Sequence, residues 1–241
     1  MKKDRSVILV VGCSRGLGKE VYSYLENKND LIGISRKVKD NNQSKLKVDI
    51  TNEDDITRLE DFISTNSIRI KGIVLMAGIT KTPSETQQNS SLQSTRDFTE
   101  IVLTNLISTY SLIQKVTSHI QEDASIILIS SIGAIQGFPG NPGYQASKAG
   151  IESLARSLSI DLAKKKIRVN CLRLGYFKTD MTKDSYLDSS MREERSNRTI
   201  HSRWGEAHEI NGCIDFLLSD KSAYMTGSII TIDGGWTIKG L

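Results

Sequence analysis

Short apolar runs alternate with longer amphipathic segments along the whole 241-residue chain, and this alternation limits the fold more than any other feature. Runs rich in β-branched residues predict strands near 7–11, 31–34, 46–48, 72–76, 125–130, 168–172 and 228–232. Between them, apolar residues at helical spacing predict helices near 17–27, 53–65, 95–120, 144–165 and 206–218. Strands that are apolar nearly throughout need cover on both faces. A helix-length crossover after each strand returns the chain to the same edge, so the sheet is parallel. The expectation is a doubly wound α/β fold, one domain over 1–241, with about seven strands and helices on both faces. No repeat or shift of composition marks a boundary inside it.

Two segments interrupt the alternation, and both follow strands, where ligands bind in such sheets. Residues 80–94 are polar and rich in Ser, Thr and Gln, and 175–203 are long and charged. A connection as long as the second without structure of its own is uncommon unless it has a function, so 175–203 reads as a substrate lid. The longest strongly apolar run, at 7–11, is too short for a membrane span or a secretory signal, and a cytoplasmic protein is expected.

The net charge of +4 is a small difference between 32 basic and 28 acidic residues scattered along the chain, which argues against nucleic acid as a partner. The densest basic run, Lys164, Lys165 and Lys166 followed by Arg168, falls where a helix should end and complements the negative end of its dipole. Cys13, Cys171 and Cys213 are far apart without a CxxC, and His119, His201 and His208 lack the spacing of a metal motif. Neither a disulfide framework nor a metal site is expected.

The first strand runs into Gly12-Cys13-Ser14-Arg15-Gly16-Leu17-Gly18, a GxxxGxG turn at a strand-to-helix junction. Glycines there let backbone approach a pyrophosphate, and the helix N-terminus turns its free N–H groups towards the charge. Where NAD sites place an acid after the second strand, this chain has Arg36, in Ile34-Ser35-Arg36-Lys37. Arg36 and Arg15 suit a 2′-phosphate, so NADP(H) is expected over NAD(H). Further on, Tyr144 and Lys148 stand four residues apart, on one face of a helix, and the ammonium is expected to lower the phenol pKa from its reference of about 10.

Taken in order, these motifs resemble the short-chain dehydrogenase/reductase family over essentially the whole chain. The resemblance adds Asp49 after the third strand, Ala77-Gly78 after the fourth, Asn105 in the fourth helix, Ser131, then Gly175, Thr179 and Asp233-Gly234-Gly235. It implies a Rossmann-type fold. The family's active-site serine precedes the tyrosine by thirteen residues, which selects Ser131 over Ser130. By the same resemblance Tyr144 is the proton donor to a carbonyl oxygen that Ser131 holds. Lys148 binds the nicotinamide ribose and tunes Tyr144, and Asn105 anchors a proton-relaying water. Asp49 and Ile50 are implied to meet the adenine, and the Phe177 backbone with Thr179 to grip the carboxamide. Ala77, Gly78 and Gly175 complete the cofactor contacts.

The chain departs from the family pattern at Val11, Met76 and Leu174, where threonine, asparagine and proline are usual. Apolar residues at both Val11 and Met76 replace both partners of a brace, which is nearly neutral, whereas Leu174 is expected to loosen the loop over the nicotinamide. Thr179-Asp180-Met181-Thr182 and Arg203-Trp204-Gly205-Glu206 are most like 3-oxoacyl-[acyl-carrier-protein] reductases. The expected activity is NADP(H)-dependent reduction of a ketone on a small molecule, a 3-oxoacyl thioester in first place. A sugar, polyol or secondary metabolite is the alternative substrate, and a non-catalytic NADP(H)-binding sensor or scaffold is the alternative of another class. The resemblance further implies a homotetramer or homodimer joined through the helices at 95–120 and 144–165, with an acidic acyl carrier protein meeting Lys164 to Lys166. Against that docking, Gln121-Glu122-Asp123 is acidic where some such reductases are basic.

Overall fold

The computed structural model describes residues 5–38, 42, 44–81 and 92–239. Seven strands form one sheet in the order β3-β2-β1-β4-β5-β6-β7, every neighbouring pair parallel. They are β1 (Arg5–Val11), β2 (Leu31–Ser35), β3 (Lys45–Lys47), β4 (Ile68–Leu75), β5 (Ile120–Ser131), β6 (Arg168–Leu174) and β7 (Ile229–Ile232). Strand order reverses direction at the β1–β4 pair, and in open α/β sheets a crevice opens there, beyond the carboxyl ends of the strands.

The apolar alternation in β1 shows how the layers form. Val7, Leu9 and Val11 belong to one core cluster, while Ile8 and Val10 belong to the other. The first cluster is covered by α2 (Glu53–Thr65), α4 (Ser108–Val116) and α5 (Pro142–Asp161), through side chains such as Leu59, Leu112 and Ile151. The second is covered by α1 (Gly16–Glu26) and α8 (Asn211–Leu218), through Val21, Leu25, Ile214 and Leu217. Each fully buried aliphatic side chain of this kind stabilises the fold by about 1.5–3 kcal/mol relative to exposure. Local signals set the helix starts. Asn52 accepts from the Asp55 amide at the head of α2, followed by three acids in the first turn. Pro142 opens α5, where its missing N–H costs nothing.

Two expectations need correction. The helix expected at 95–120 is α3 (Thr95–Val102), one π-helical turn (Leu103–Ile107) and α4, ending in a 3₁₀ turn (Thr117–His119), and Ile120 already lies in β5. Side-chain competition accounts for the irregularity: the hydroxyls of Ser108, Thr109, Ser111 and Thr117 each donate to the carbonyl four residues earlier, which bends helices. β5 starts early because a register shift between Ile70 and Gly72, with Asp123 at φ +60°, lets residues 120–124 join the sheet. The second correction concerns 175–203, which is not structureless. It holds α6 (Lys183–Leu187) and α7 (Ser189–Asn197), the latter capped by Asp188, whose carboxylate accepts from the Met191 amide at 2.8 Å. The other interrupting segment, 80–94, lies outside the described residues over 82–91.

No helix among the described residues is long and apolar enough to cross a membrane.

Candidate active site

One cleft opens at the carboxyl end of the sheet, over the β1–β4 switch point, and the sequence-predicted residues converge on it. Its floor is the glycine turn. Gly12 has φ +86°, and a Cβ there would stand 2.7 Å from the Ala77 amide nitrogen; a Cβ on Gly18 would stand 2.1 Å from the Gly12 carbonyl oxygen. Only glycine lets β1, the turn and the strand end at Ala77 approach so closely. Arg15, at the N-cap of α1, makes no side-chain cap bond, so the N–H groups of the first turn face the cleft without a local acceptor. One of them, on Gly16, donates to the Asp180 carboxylate at 3.2 Å. Ser14 shares a 2.7 Å hydrogen bond with Ser35, which ties the turn to the end of β2.

The rim beyond β2 is cationic. Arg15 and Arg36 both line the cleft, both are exposed, and neither has an ion-pair partner among the described residues. Asp49 and Ile50 line the same end. Asp49 Oδ1 accepts from the Thr51 amide and hydroxyl at 3.0 and 2.7 Å, which fixes the turn they share.

At the other end stand Ser131, Tyr144 and Lys148. Ser131 is the last residue of β5, and its Oγ accepts from the Gly133 amide at 3.1 Å. Burial pushes the Tyr144 phenol up, with a hydrogen bond to Ser131 acting the other way. This direction is opposite to the expected lowering by Lys148. The ammonium lies 5.6 Å from the Tyr144 ring centre and donates to the Ile129 carbonyl at 2.7 Å, and burial pulls it down to about 8.

Asn105 is the one predicted site residue that does not line the cleft; its neighbour Thr104 does. Asn105 sits in the π-helical turn, a feature frequent at functional sites, and its side chain is buried and fully engaged. Oδ1 accepts from the Ile79 amide at 2.8 Å, while Nδ2 donates to the Ile79 carbonyl at 2.9 Å and to Ser147 Oγ at 3.1 Å. It thus pins the strand-end loop carrying Ala77 and Gly78 onto α5, one residue before Lys148.

The wall after β6 carries Gly175, Phe177 and Thr179. A Cβ on Gly175 would stand 2.7 Å from Asp233 Cα, which ties the loop to the Asp233-Gly234-Gly235 turn. The Phe177 carbonyl already accepts from Thr182 Oγ1 at 2.5 Å, and Thr179 shares that hydroxyl at 3.1 Å. Leu174, expected to loosen this loop, is itself held in the sheet where the loop begins. It stays paired with Ser131 in the ladder, and the next amide, on Gly175, donates to Ile232 at 2.9 Å. Val11 and Met76 are likewise joined by a 2.9 Å backbone hydrogen bond, with apolar surroundings on both sides. Cys13 is a buried, small packing residue whose thiol burial pushes up.

Sequence reasoning overlooked Ser35, Ile79, Thr104 and Met181 as cleft residues. Ile79 and Thr104 adjoin residues it did select and belong to no motif, whereas Ser35 and Met181 fall inside motifs that gave them no role of their own. The described residues contain no group of three or more His, Cys, Asp or Glu able to hold a metal.

A doubly wound sheet with a glycine turn at its switch point is the architecture of dinucleotide-dependent oxidoreductases. A family model described as enoyl-(acyl carrier protein) reductase matches residues 19–237. The chain is 30% identical to the 3-oxoacyl-[acyl-carrier-protein] reductase FabG of Buchnera aphidicola subsp. Baizongia pistaciae, over 98% of both chains. It is 29% identical to the FabG of Thermotoga maritima, over 99% of this chain and all of that one. Among solved structures it resembles a short chain dehydrogenase family protein from Francisella tularensis, with a TM-score of 0.84 and 29% identity over 98% of this chain and 100% of the other. The chain belongs to the short-chain dehydrogenase/reductase family, most like the FabG reductases, and is an oxidoreductase of CH–OH and C=O groups. Its family works with nicotinamide cofactors.

Proposed function

We propose that this oxidoreductase uses NADP(H) to reduce a ketone to a secondary alcohol, with a 3-oxoacyl thioester as its substrate. The observation that carries the reading is a cleft with Ser131, Tyr144 and Lys148 at one end and, at the other, Arg15 and Arg36, which have no ion-pair partner among the described residues. The cradle fits a dinucleotide, since glycine at Gly12 and Gly18 lets the turn close onto Ala77 and itself, which leaves the first-turn amides of α1 facing the cleft. When bound, the nicotinamide supplies the hydride.

The chain's own groups do the rest. Gly16, Leu17 and Gly18 offer helix N-terminal amides to the diphosphate once Asp180 is displaced. Asp49 and Ile50 border the adenine, and Gly78, Gly175, Phe177 and Thr179 border the nicotinamide. Lys148 holds the adjoining ribose. Tyr144, whose phenol stays protonated through the neutral range, gives its proton to the substrate oxygen while Ser131 Oγ–H holds that oxygen. Asn105 keeps Ala77, Gly78 and α5 in mutual register through Ile79 and Ser147. The segment 175–203 serves as the lid of what is one domain, its first part lining the cleft as far as Thr182, where α6 and α7 follow.

The reading extends to partners. Phe98, Leu103, Ile107 and Tyr110 leave an exposed apolar face along α3, the π turn and α4, suited to a second copy in a homodimer or homotetramer. Lys164, Lys165 and Lys166 are all exposed after α5, where an acidic carrier protein would meet them. A cytoplasmic location fits such a partner.

The test follows the oxidation of NADPH and NADH separately with an acetoacetyl thioester. Selective turnover with NADPH is expected; NADPH binding without turnover would remove the thioester from the reading. A pH series provides a second expectation. Lys148 is charged below about 8 and neutral above it, because burial depresses its pKa. Affinity of the free protein for NADPH should therefore fall as pH rises through about 8, and titration calorimetry should find that limb absent in Lys148→Met.

A further inference from the structure

Behind the cleft lies a second polar constellation that the reduction chemistry leaves unused. Ser131 turns to Gly133, and its neighbour Ser130, which also borders the cleft, turns its hydroxyl to α5. The Ser130 Oγ–H is shared between Glu152 Oε1 at 2.9 Å and the Lys148 carbonyl oxygen at 3.2 Å. Opposite Ser130 in the β5–β6 ladder is Arg173. Its guanidinium grips the same carboxylate as a fork, Nε to Oε1 at 2.8 Å and Nη2 to Oε2 at 2.7 Å. Glu152 is only 5% exposed and lies one helical turn after Lys148.

Lys148 is consequently fastened to two consecutive residues of β5, by its ammonium to Ile129 and by its carbonyl to Ser130. The next residue of the strand is Ser131. A buried ion pair is poor value for stability, since apolar residues of similar volume often do as well or better. What an arginine fork does supply is orientation: it fixes the plane of the carboxylate, and the carboxylate then fixes the Ser130 hydroxyl. A displacement of the order of 1 Å between reacting groups can cost about a hundredfold in rate.

We propose that Glu152, clamped by Arg173, is a positioning residue that acts through Ser130 to set Lys148 and Ser131 relative to each other. The inference rests on the reading of Ser131, Tyr144 and Lys148 as catalytic residues. It is distinct from a stabilising role, because the geometry and not the burial energy is what the pair contributes.

The test uses Ser130→Ala, which leaves the ion pair intact, and the double variant Glu152→Leu/Arg173→Leu, which replaces the pair by apolar groups. Glu152→Leu alone would leave the half-buried Arg173 without its carboxylate, holding only the Thr231 hydroxyl at 3.4 Å, and is kept out of the decision. Both variants should keep the wild-type unfolding temperature, or exceed it in the double variant. Both should lose about tenfold or more in kcat, and bind NADPH about fivefold more weakly because Lys148 is misplaced. Turnover and NADPH affinity within about twofold of wild type in both variants would overturn the inference. So would losses that track a lowered unfolding temperature and vanish when the assay is cooled. Tyr144→Phe, run in parallel, separates the two levels: full turnover there sinks the catalytic reading, whereas its loss beside unaffected Ser130→Ala and double variants sinks only the positioning role. If the wild type reduces none of the ketones tried, the NADPH affinities decide.

Discussion

Tyr144→Phe should lower turnover by roughly 10²–10⁴-fold while NADPH still binds. The substitution removes one hydroxyl and keeps the ring, so the packing of α5 against β5 is unchanged. Ser131 retains the Gly133 amide and Lys148 retains the Ile129 carbonyl. The lost function is specific. Reduction places negative charge on the substrate oxygen, and Tyr144 is the only phenol lining the cleft among the described residues, held protonated by burial. Removing a donor needed only as that charge develops lowers kcat and kcat/KM together and spares ground-state binding. Stopped-flow or steady-state oxidation of NADPH, with calorimetric binding in parallel, reads both quantities. Turnover within tenfold of wild type would move the proton donor to another residue. A protein whose work is binding alone would show no difference between the two forms in any assay of that work.

The fold was legible where the signal was periodic. Alternation in β1, between Val7, Leu9 and Val11 on one side and Ile8 and Val10 on the other, already implies cover on both faces. The glycine turn was legible because its residues answer to a backbone geometry, the positive φ of Gly12 and Gly16, that side chains do not tolerate. The break within 95–120 was not, because the same apolar spacing suits an α-helix and a helix interrupted by a π turn. The bond from Asn105 to Ile79 that holds that turn spans 26 residues. The two short helices in 175–203 escaped for a different reason. The residues of α7 are all at least partly exposed, so its sequence shows no apolar stripe, and Trp204 secures it through a bond to the Arg192 carbonyl. The direction of the Tyr144 shift was misread because a helical spacing of four gives proximity but not burial. In the folded chain desolvation outweighs the neighbouring charge, which itself turns towards Ile129.

Replacing the rim arginines should change which dinucleotide the protein prefers. Arg36 stands at the end of β2, one residue beyond Ser35, whose hydroxyl holds Ser14 of the glycine turn, and Arg15 belongs to that same turn. The 2.7 Å bond therefore keeps the two cationic positions at a common rim, and neither guanidinium is spent on a carboxylate among the described residues. A charge-assisted hydrogen bond contributes about 1.5–3 kcal/mol, so Arg36→Ala should weaken NADPH binding by roughly 10- to 100-fold. NADH has no 2′-phosphate and should bind Arg36→Ala about as well as wild type. Arg36→Asp should go further, because the new carboxylate repels the phosphate but accepts from a ribose 2′-hydroxyl. Both arginines are exposed, so their attraction is screened over a Debye length of about 10 Å at 0.1 M salt. The preference for NADPH over NADH should accordingly shrink as salt is raised, and Arg15→Ala/Arg36→Ala should abolish that salt dependence. Dissociation constants for both dinucleotides across a salt series decide the matter. A ratio unchanged within about twofold by Arg36→Ala would mean that the 2′-position is read elsewhere, or that the cleft was built for NAD(H).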